Sequence, residues 1–506
     1  MTQYYSRWLE EKELKEINGV EEIDINNSIN VSGLPLKVEG NKMLIDSSLG
    51  STMIIGASGS GKTQATVLPM LNLIRRAGES VLLCDVNGEI YNRTAYSFKN
   101  SGYKTIVLDF KNADLGDYWN PLAYPYYLYQ NNQKDEAMNV ITDLAHTIFH
   151  EEGTMDPFWE ITSSDYFTAL CLGLFQYGKE EEININSISK MLDDGDEKIA
   201  LTTYAQEFFK HTSEQASICA AATINAPKET KGSILSVLRQ KLRLYLARES
   251  FNQMLSKTSF NIKDVRDKHI IYLVLPENMP NVYPMVNILI NQIYHALDRS
   301  DYTTRFNYIL DDFELLDPIK NFGSLLTASR SRNIKFVLLC RSYRELYDKY
   351  GKEEAEKIIN STSTIVYLIT DDRDTAERIS LYCGDKEAEQ RLVGVDELLH
   401  LNQWETVMLK IRTLPIRLSL TPNYKIDWHE EFIDTEIPTR DKVEIAVFNM
   451  KAHAIPNQSN FDELIAKIDN EIEELEKSEQ EDNKTVIEKT IKKIEIEKDK
   501  VTIYYE

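Results

Sequence analysis

TMIIGASGSGKTQATVLPMLNLIRR, residues 52–76, decides how the rest of the chain is read. A short apolar run, TMIIG, is followed by GASGSGKT. After it comes KTQATVLPMLNLIRR, whose apolar residues keep spacings of three and four. The predicted order is buried strand, glycine loop, helix, with Pro69 placed to kink the helix. The loop fits G-x-x-x-x-G-K-[ST] over Gly56, Ala57, Ser58, Gly59, Ser60, Gly61, Lys62 and Thr63. In such a loop the glycines let backbone N–H groups close around phosphates. Lys62 reaches the β and γ oxygens, and Thr63 offers its hydroxyl to Mg2+. A glycine-rich turn without nucleotide shares the pattern but rarely this flanking context.

Outward from the loop, SVLLCDV and KTIVLDF are further short apolar strands. The alternation over residues 31–125 predicts βαβ units and a parallel sheet. Over 126–245 the strand signal disappears, and DEAMNVITDLAHTIFH, SDYFTALCLGLFQY and SILSVLRQKLRLYLA read as an all-helical insertion. The sheet pattern resumes over 246–425 with HIIYLVLP, FNYILDD, IKFVLLC and STIVYLIT, and ends in WETVMLKIRTLPIRLSL. The expected fold is α/β: a nucleotide-binding domain with a parallel twisted sheet, divided by the helical insertion. Residues 1–30 form a polar N-terminal segment with an aromatic cluster at Tyr4, Tyr5, Trp8 and Leu9. It reads either as a docking helix or as an ordinary terminal segment packed on its own domain. Residues 426–506 are a C-terminal extension that turns Glu/Lys-rich from about 458. There Phe461, Leu464, Ile468, Ile472 and Leu475 keep helical spacing, as a solvated helix or an acidic docking tail would.

The chain has 506 residues and a formal net charge of −23. That acidity argues against a whole-surface nucleic-acid binder, while leaving room for a local basic channel. The best local positive run spans Lys228 to Arg248 and holds Lys231, Arg239, Lys241 and Arg243; it reads as a channel lining or as one solvated helix face. Tyr245 alone could stack on a base there. The start resembles no signal peptide, and no run approaches the ~18 apolar residues of a membrane span. The five scattered cysteines read as reduced core thiols of a cytoplasmic protein.

Two strands end in an acid able to hold the metal side of a nucleotide, at Asp85 and at Asp311. ILDDFELLD, residues 309–317, is the favoured one, because Asp311 and Asp312 follow each other directly.

These motifs together resemble the type IV secretion coupling proteins, hexameric conjugative DNA-transfer ATPases. The resemblance runs from about residue 35 to 420. It rests on GASGSGKT, VLLCDVNGEIYNRTA, the WNPL at 119–122, ILDDFELLDPI and LLTASRSRNIKFVLLCRSYRELYDKYG. It implies a RecA-like motor domain with an inserted helical domain, ATP and Mg2+ as cofactors, and a homo-hexamer with sites between subunits. It implies single-stranded DNA, bound without sequence preference, and a relaxase as cargo. The further partners are membrane-embedded channel components or a small membrane anchor. The expected location is cytoplasmic, peripheral at the inner face of the cell membrane through a partner. Asp311 would hold the metal and Asp312 would polarise the attacking water. Arg330 and Arg332 are candidate arginine fingers toward a neighbour.

Four departures accompany the resemblance. The usual Asp-Glu pair is Asp311-Asp312 here. The missing methylene retracts the carboxylate by roughly 1.5 Å, and a 1 Å misplacement can cost ~10²-fold in rate. Turnover is therefore expected to be slow or re-geometrised, or else absent. A glutamine that often follows the next strand is Arg341, read either as a γ-phosphate sensor or as a partner of Asp311 or Asp312. The usual Asp-Pro-Lys-Gly-Glu is Asp85-Val86-Asn87-Gly88-Glu89, without its lysine. N-terminal membrane helices are not seen. A weakly hydrolysing recruitment platform and an ATPase for protein effectors stand beside the DNA-motor reading.

Overall fold

The parallel strands read as unbroken apolar runs because both faces of each are covered. In chain order the strands are β1 (Val20–Asp24), β2 (Leu34–Glu39), β3 (Lys42–Asp46), β4 (Thr52–Gly56), β5 (Ser80–Val86), β6 (Lys104–Asp109), β7 (Lys198–Ile199), β8 (Thr202–Thr203), β9 (His269–Leu275), β10 (Phe306–Leu310), β11 (Ile334–Cys340), β12 (Thr364–Ile369), β13 (Asp385–Glu387), β14 (Gln390–Arg391), β15 (Glu405–Lys410) and β16 (Ile416–Ser419). The computed structural model describes residues 5–150, 157–199, 201–388, 390–454, 491–497 and 500–505. These fall into two units, Met1–Met450 and Lys451–Glu506.

In the first unit, nine strands form one sheet in the order β16-β15-β12-β4-β11-β10-β5-β9-β6. From β12 to β6 all neighbours are parallel, and β15 and β16 add an antiparallel edge. Alternate residues of one sheet face, among them Ile54, Leu83, Tyr272, Ile309 and Leu339, share a core with the helices Leu68–Ala77 and Glu89–Asn100. Because the strands are parallel, the loops after β4, β10 and β11 all emerge at the same edge, where ligands of open α/β sheets bind.

Helices run from Ala123 to Met254, interrupted by the short β7–β8 hairpin. This extends the expected 126–245 block by three residues at its start and nine at its end. Its central helix, Phe158–Tyr177, is apolar around most of its circumference and is packed by Lys134–Phe149, Glu214–Ile224 and Lys228–Leu246.

The N-terminal segment contains no α-helix among its described residues. It has a 3-10 turn, Glu11–Glu16, and the three-stranded antiparallel sheet β1-β3-β2 follows. Arg417 lies over the Trp8 ring at 5.7 Å, and the Leu9 N–H donates to the Pro415 carbonyl at 2.9 Å. Tyr5 is exposed, and Tyr4 lies outside the described residues. Two members of the expected docking cluster are therefore engaged by this chain's own edge strand and its approach.

Residues 426–450 are not a detached extension. Trp428 is buried, and Glu430 pairs with both Arg75 and Arg76. The chain then crosses the far side of the unit. Thr439 bridges to Leu115, Arg440 donates to the Asp117 carbonyl at 2.6 Å, and the Val443 N–H donates to Gln253 at 2.9 Å. The Phe448 N–H reaches Ser187 Oγ at 2.9 Å.

In the second unit, a helical turn at Lys451–Ala454 and an antiparallel strand pair, Ile491–Glu497 with Lys500–Tyr505, are described. The helical spacing read over Phe461 to Leu475 lies outside the described residues. The end of the charged tail, read from sequence as a solvated helix or an acidic docking tail, pairs as strands. Ile494, Ile496, Val501 and Ile503 give it the β-branched, period-two pattern.

Candidate nucleotide site

Gly56 ends β4, and the loop turns under two left-handed glycines, Gly59 at φ +77° and Gly61 at φ +91°. A side chain is strained at either position. The Ala57 N–H ties the loop to the Ile369 carbonyl of β12 at 2.7 Å. Lys62 is buried, and its ammonium donates to the Gly56 carbonyl. Ser60 Oγ is buried without a partner. Two left-handed glycines, a close approach at Gly56 and Gly61 that leaves no room for a Cβ, an inward lysine and an orphaned hydroxyl fit a polyphosphate cradle. Thr63 opens a π-helical turn, Thr63–Val67, and the α-helix begins at Leu68 with Pro69 in its first turn. The expected kink is thus a change of winding. Proline lacks the N–H that a continuous α-helix would need there.

β11 lies between the loop strand β4 and the acid strand β10. Asp311 therefore stands one intervening strand from the loop, and Asp85 on β5 one strand further. Burial, then the neighbouring Asp312, pushes the Asp311 carboxyl up to about 6, while Lys62 opposes the shift. Asp85 is pushed up to about 7 by burial, but it accepts the Tyr91 N–H at 2.7 Å and the Ile90 N–H at 3.2 Å. It caps the helix it precedes, which is a structural occupation. Glu89 is exposed.

Asp312 adopts φ +44°, the left-handed region. The backbone then turns through Phe313–Leu315, anchored by the Phe313 ring stacked on Phe322 and Tyr350 at 5.1 and 5.5 Å. This turn carries a residue that the sequence reading missed, Glu314. Its side chain is 8% exposed, and neither oxygen has a hydrogen bond. Burial pushes it up to about 8, with Asp312 and Glu345 adding repulsion and Lys62 opposing. Arg341, just after β11, presents its Nε to Glu314 at 3.4 Å and to Asp312 at 3.8 Å. Of the pairings read from sequence, the one with Asp312 is present, and Glu314 is the nearer partner. The only signal for Glu314 was its place in DDFE.

Arg330 and Arg332 form a 3-10 turn before β11, at the sheet edge opposite the loop. They cannot reach this chain's own phosphates. Arg332 is bound by Asp298, donates to Tyr294 at 3.2 Å and lies over that ring. Arg330 is exposed. In the basic run, Lys231 pairs with Asp196 at 3.5 Å and Arg239 with Asp193 at 3.2 Å. Tyr245 is buried, so it offers no ring to a base.

A family described as type IV secretory system conjugative DNA transfer matches residues 11–409. The chain belongs to that family. It is 22% identical over 357 residues to the conjugal transfer protein TraG of Agrobacterium fabrum, covering 69% of this chain and 53% of the relative. It is also 22% identical over 357 residues to the type IV secretion system-coupling protein VirD4 of Bartonella henselae, covering 67% and 54%. The chain thus spans about half the length of the curated relatives it matches. Its fold is like that of the plasmid coupling protein TrwB solved with a non-hydrolysable ATP analogue. The TM-score there is 0.62 at 15% identity, over 87% of this chain and 98% of that one. VirB4 of Thermoanaerobacter pseudethanolicus follows with a TM-score of 0.50 at 12% identity, over 78% and 97%. The RecA-like sheet with an inserted helical domain agrees with this likeness. Among the described residues no helix is long and apolar enough to cross a membrane.

Proposed function

We propose that this chain is an ATP- and Mg2+-dependent motor of type IV conjugative transfer. It works as a homo-hexamer, receiving a relaxase bound to single-stranded DNA and passing it to the transfer channel. It acts at the cytoplasmic face of the membrane through a channel component or a small anchor protein. The observation that carries the reading is the convergence of the loop Gly56–Thr63, the acids Asp311 and Asp312 and the cation Arg341 at one sheet edge, in a chain of this family.

In this reading, backbone N–H groups of Ala57 to Gly61 hold the phosphates, and Lys62 leaves the Gly56 carbonyl for the β and γ oxygens. Thr63 and Asp311 would hold Mg2+, which would supply neutralisation of phosphate charge. Arg341 has its Nε beside Glu314 and Asp312, at 3.4 and 3.8 Å, and its terminal nitrogens serve the γ-phosphate. Arg330 reaches the site of a neighbouring subunit.

A second reading has a specific observation behind it. Asp312 is short, left-handed and engaged with Arg341, which suits a platform that binds nucleotide and hydrolyses it weakly. An ATPase for protein effectors would share the same site. Steady-state ATP turnover with and without single-stranded DNA separates these readings, with Lys62→Ala, Asp312→Asn and Asp312→Glu run alongside. DNA-stimulated turnover lost in Lys62→Ala and Asp312→Asn supports the motor. Turnover only in Asp312→Glu supports the platform, and turnover indifferent to DNA supports effector transport.

A further inference from the structure

The γ-phosphate side of the loop faces β11 and β10, where the acids and Arg341 stand. A nucleotide lying along the loop must then carry its nucleoside toward the other side, where β12, β15 and β16 complete the sheet. Two aromatic residues there are not used by the phosphate chemistry. Trp404 precedes β15, and its ring lies directly on the loop: a Cβ built on Gly61 would come within 2.4 Å of it. Trp404 holds φ +71°, a costly backbone conformation for a bulky residue. Its carbonyl accepts the Leu420 N–H at 2.8 Å, which fixes the turn.

Tyr424 lies beyond β16 in the short turn Asn423–Lys425, which packs against the helical turn Thr63–Val67 opened by the loop. That turn is pinned through Asn423 Oδ1, which accepts Asn72 Nδ2 at 3.2 Å and Trp428 Nε1 at 2.9 Å. The Tyr424 ring is nonetheless 65% exposed. The Trp404 and Tyr424 rings stand edge to face, with centroids 6.3 Å apart at 70°. A planar ring laid on one meets the edge of the other, and both contacts are favoured between aromatic groups.

We propose that Trp404 and Tyr424 form the base platform of the site, taking the purine of a nucleoside di- or triphosphate by stacking. This rests on the nucleotide-binding reading above. Stacking on π-faces tolerates different bases, so the platform prefers purines over pyrimidines while discriminating little between adenine and guanine.

The test compares a ligand with a base against one without. Calorimetric affinities of the full-length protein for ADP, GDP, UDP and inorganic tripolyphosphate are measured for wild type, Trp404→Ala, Tyr424→Ala and Lys62→Ala. Tyr424→Ala and Trp404→Ala should each weaken ADP and GDP by roughly tenfold and leave tripolyphosphate unchanged. Lys62→Ala should weaken every ligand. A Tyr424→Ala protein that binds ADP like wild type overturns the platform alone. So does a Trp404→Ala protein that loses ADP and tripolyphosphate equally, because its ring would then only shape the loop. Tyr424→Ala lies on the surface and reads out the proposal even where Trp404→Ala does not fold. A wild type that binds none of the four ligands overturns both this inference and the nucleotide-binding reading.

Discussion

Arg341 and Glu314 meet across the ends of adjacent strands, Nε to Oε1 at 3.4 Å, with Asp312 on the same nitrogen at 3.8 Å. A guanidinium that meets carboxylates through its Nε keeps its terminal fork free for a γ-phosphate. ATP should therefore depend on the pair where ADP does not. Above about pH 8, where Glu314 carries its charge, Arg341→Gln and Glu314→Gln are each expected to reduce the preference for ATP over ADP by about tenfold, the scale of one charge-assisted contact. The double variant should be no worse than either, because both lose the same aimed cation. Independent, multiplying effects in titrations with a fluorescent analogue would sink this.

The pH dependence follows from the same carboxylate. Glu314 sits at about 8 in the folded chain against an ordinary 4.5. The folded state then binds more protons than the unfolded one between those values. Its stability falls as pH rises through that window, being fully present below it. Asp311 and Asp85, at about 6 and 7, tilt in the same direction. Denaturant unfolding from pH 5 to 9 should lose stability more steeply in wild type than in Glu314→Gln, by on the order of 1 kcal/mol across the range. Parallel curves would remove Glu314 as the source.

The two left-handed glycines of the loop should differ in tolerance. At Gly59 an added Cβ meets open space, so Gly59→Ala costs backbone strain alone, about 1 kcal/mol. At Gly61 it meets the Trp404 ring at 2.4 Å, so Gly61→Ala must displace the loop or the ring. Thermal unfolding should show a small loss for the first and a clearly larger one for the second. Equal losses would mean that the ring yields freely.

Arg330 and Arg332 should separate by readout. Arg332→Ala removes the contacts to Asp298 and Tyr294 and should cost about 1 kcal/mol of stability. Arg330→Ala should leave stability within ~0.5 kcal/mol and abolish turnover of the assembled protein. Mixing Arg330→Ala with Lys62→Ala subunits should restore part of that turnover, since one supplies the intact loop and the other the arginine. No restoration at any ratio would deny Arg330 a role across the interface.

Much of this architecture was legible in the sequence for one reason. β4, β5, β9, β10 and β11 are buried on both faces and so spell continuous apolar runs, while the helices between them keep their own period. The phosphate loop was legible because its mechanism demands fixed residue types at fixed spacing. β1, β2 and β3 were not, being short strands rich in Glu, Asp and Lys. Glu314 enters the site only because Asp312 goes left-handed, which no residue type at that position announces. Trp404 lies some 340 positions from the loop its ring covers, and Tyr424 stands beside it from a turn further still along the chain. The return of residues 426–450 rests on the Glu430 ion pairs, on hydrogen bonds and on isolated buried residues such as Trp428 and Phe448, which leave little hydrophobic periodicity to read.

That return also has a mechanical meaning. An insertion joined only where the chain enters near Ala123 and leaves near Met254 would swing on two adjacent cords. Here the segment from Glu430 to Phe448 grips the first helix after the loop at one end. Along its way it grips Leu115 and Asp117, and at the far end it grips Gln253 and Ser187 of the insertion. A load on the helical domain is thereby shared with the helix that begins at Thr63, as a guy-line shares the load of a mast.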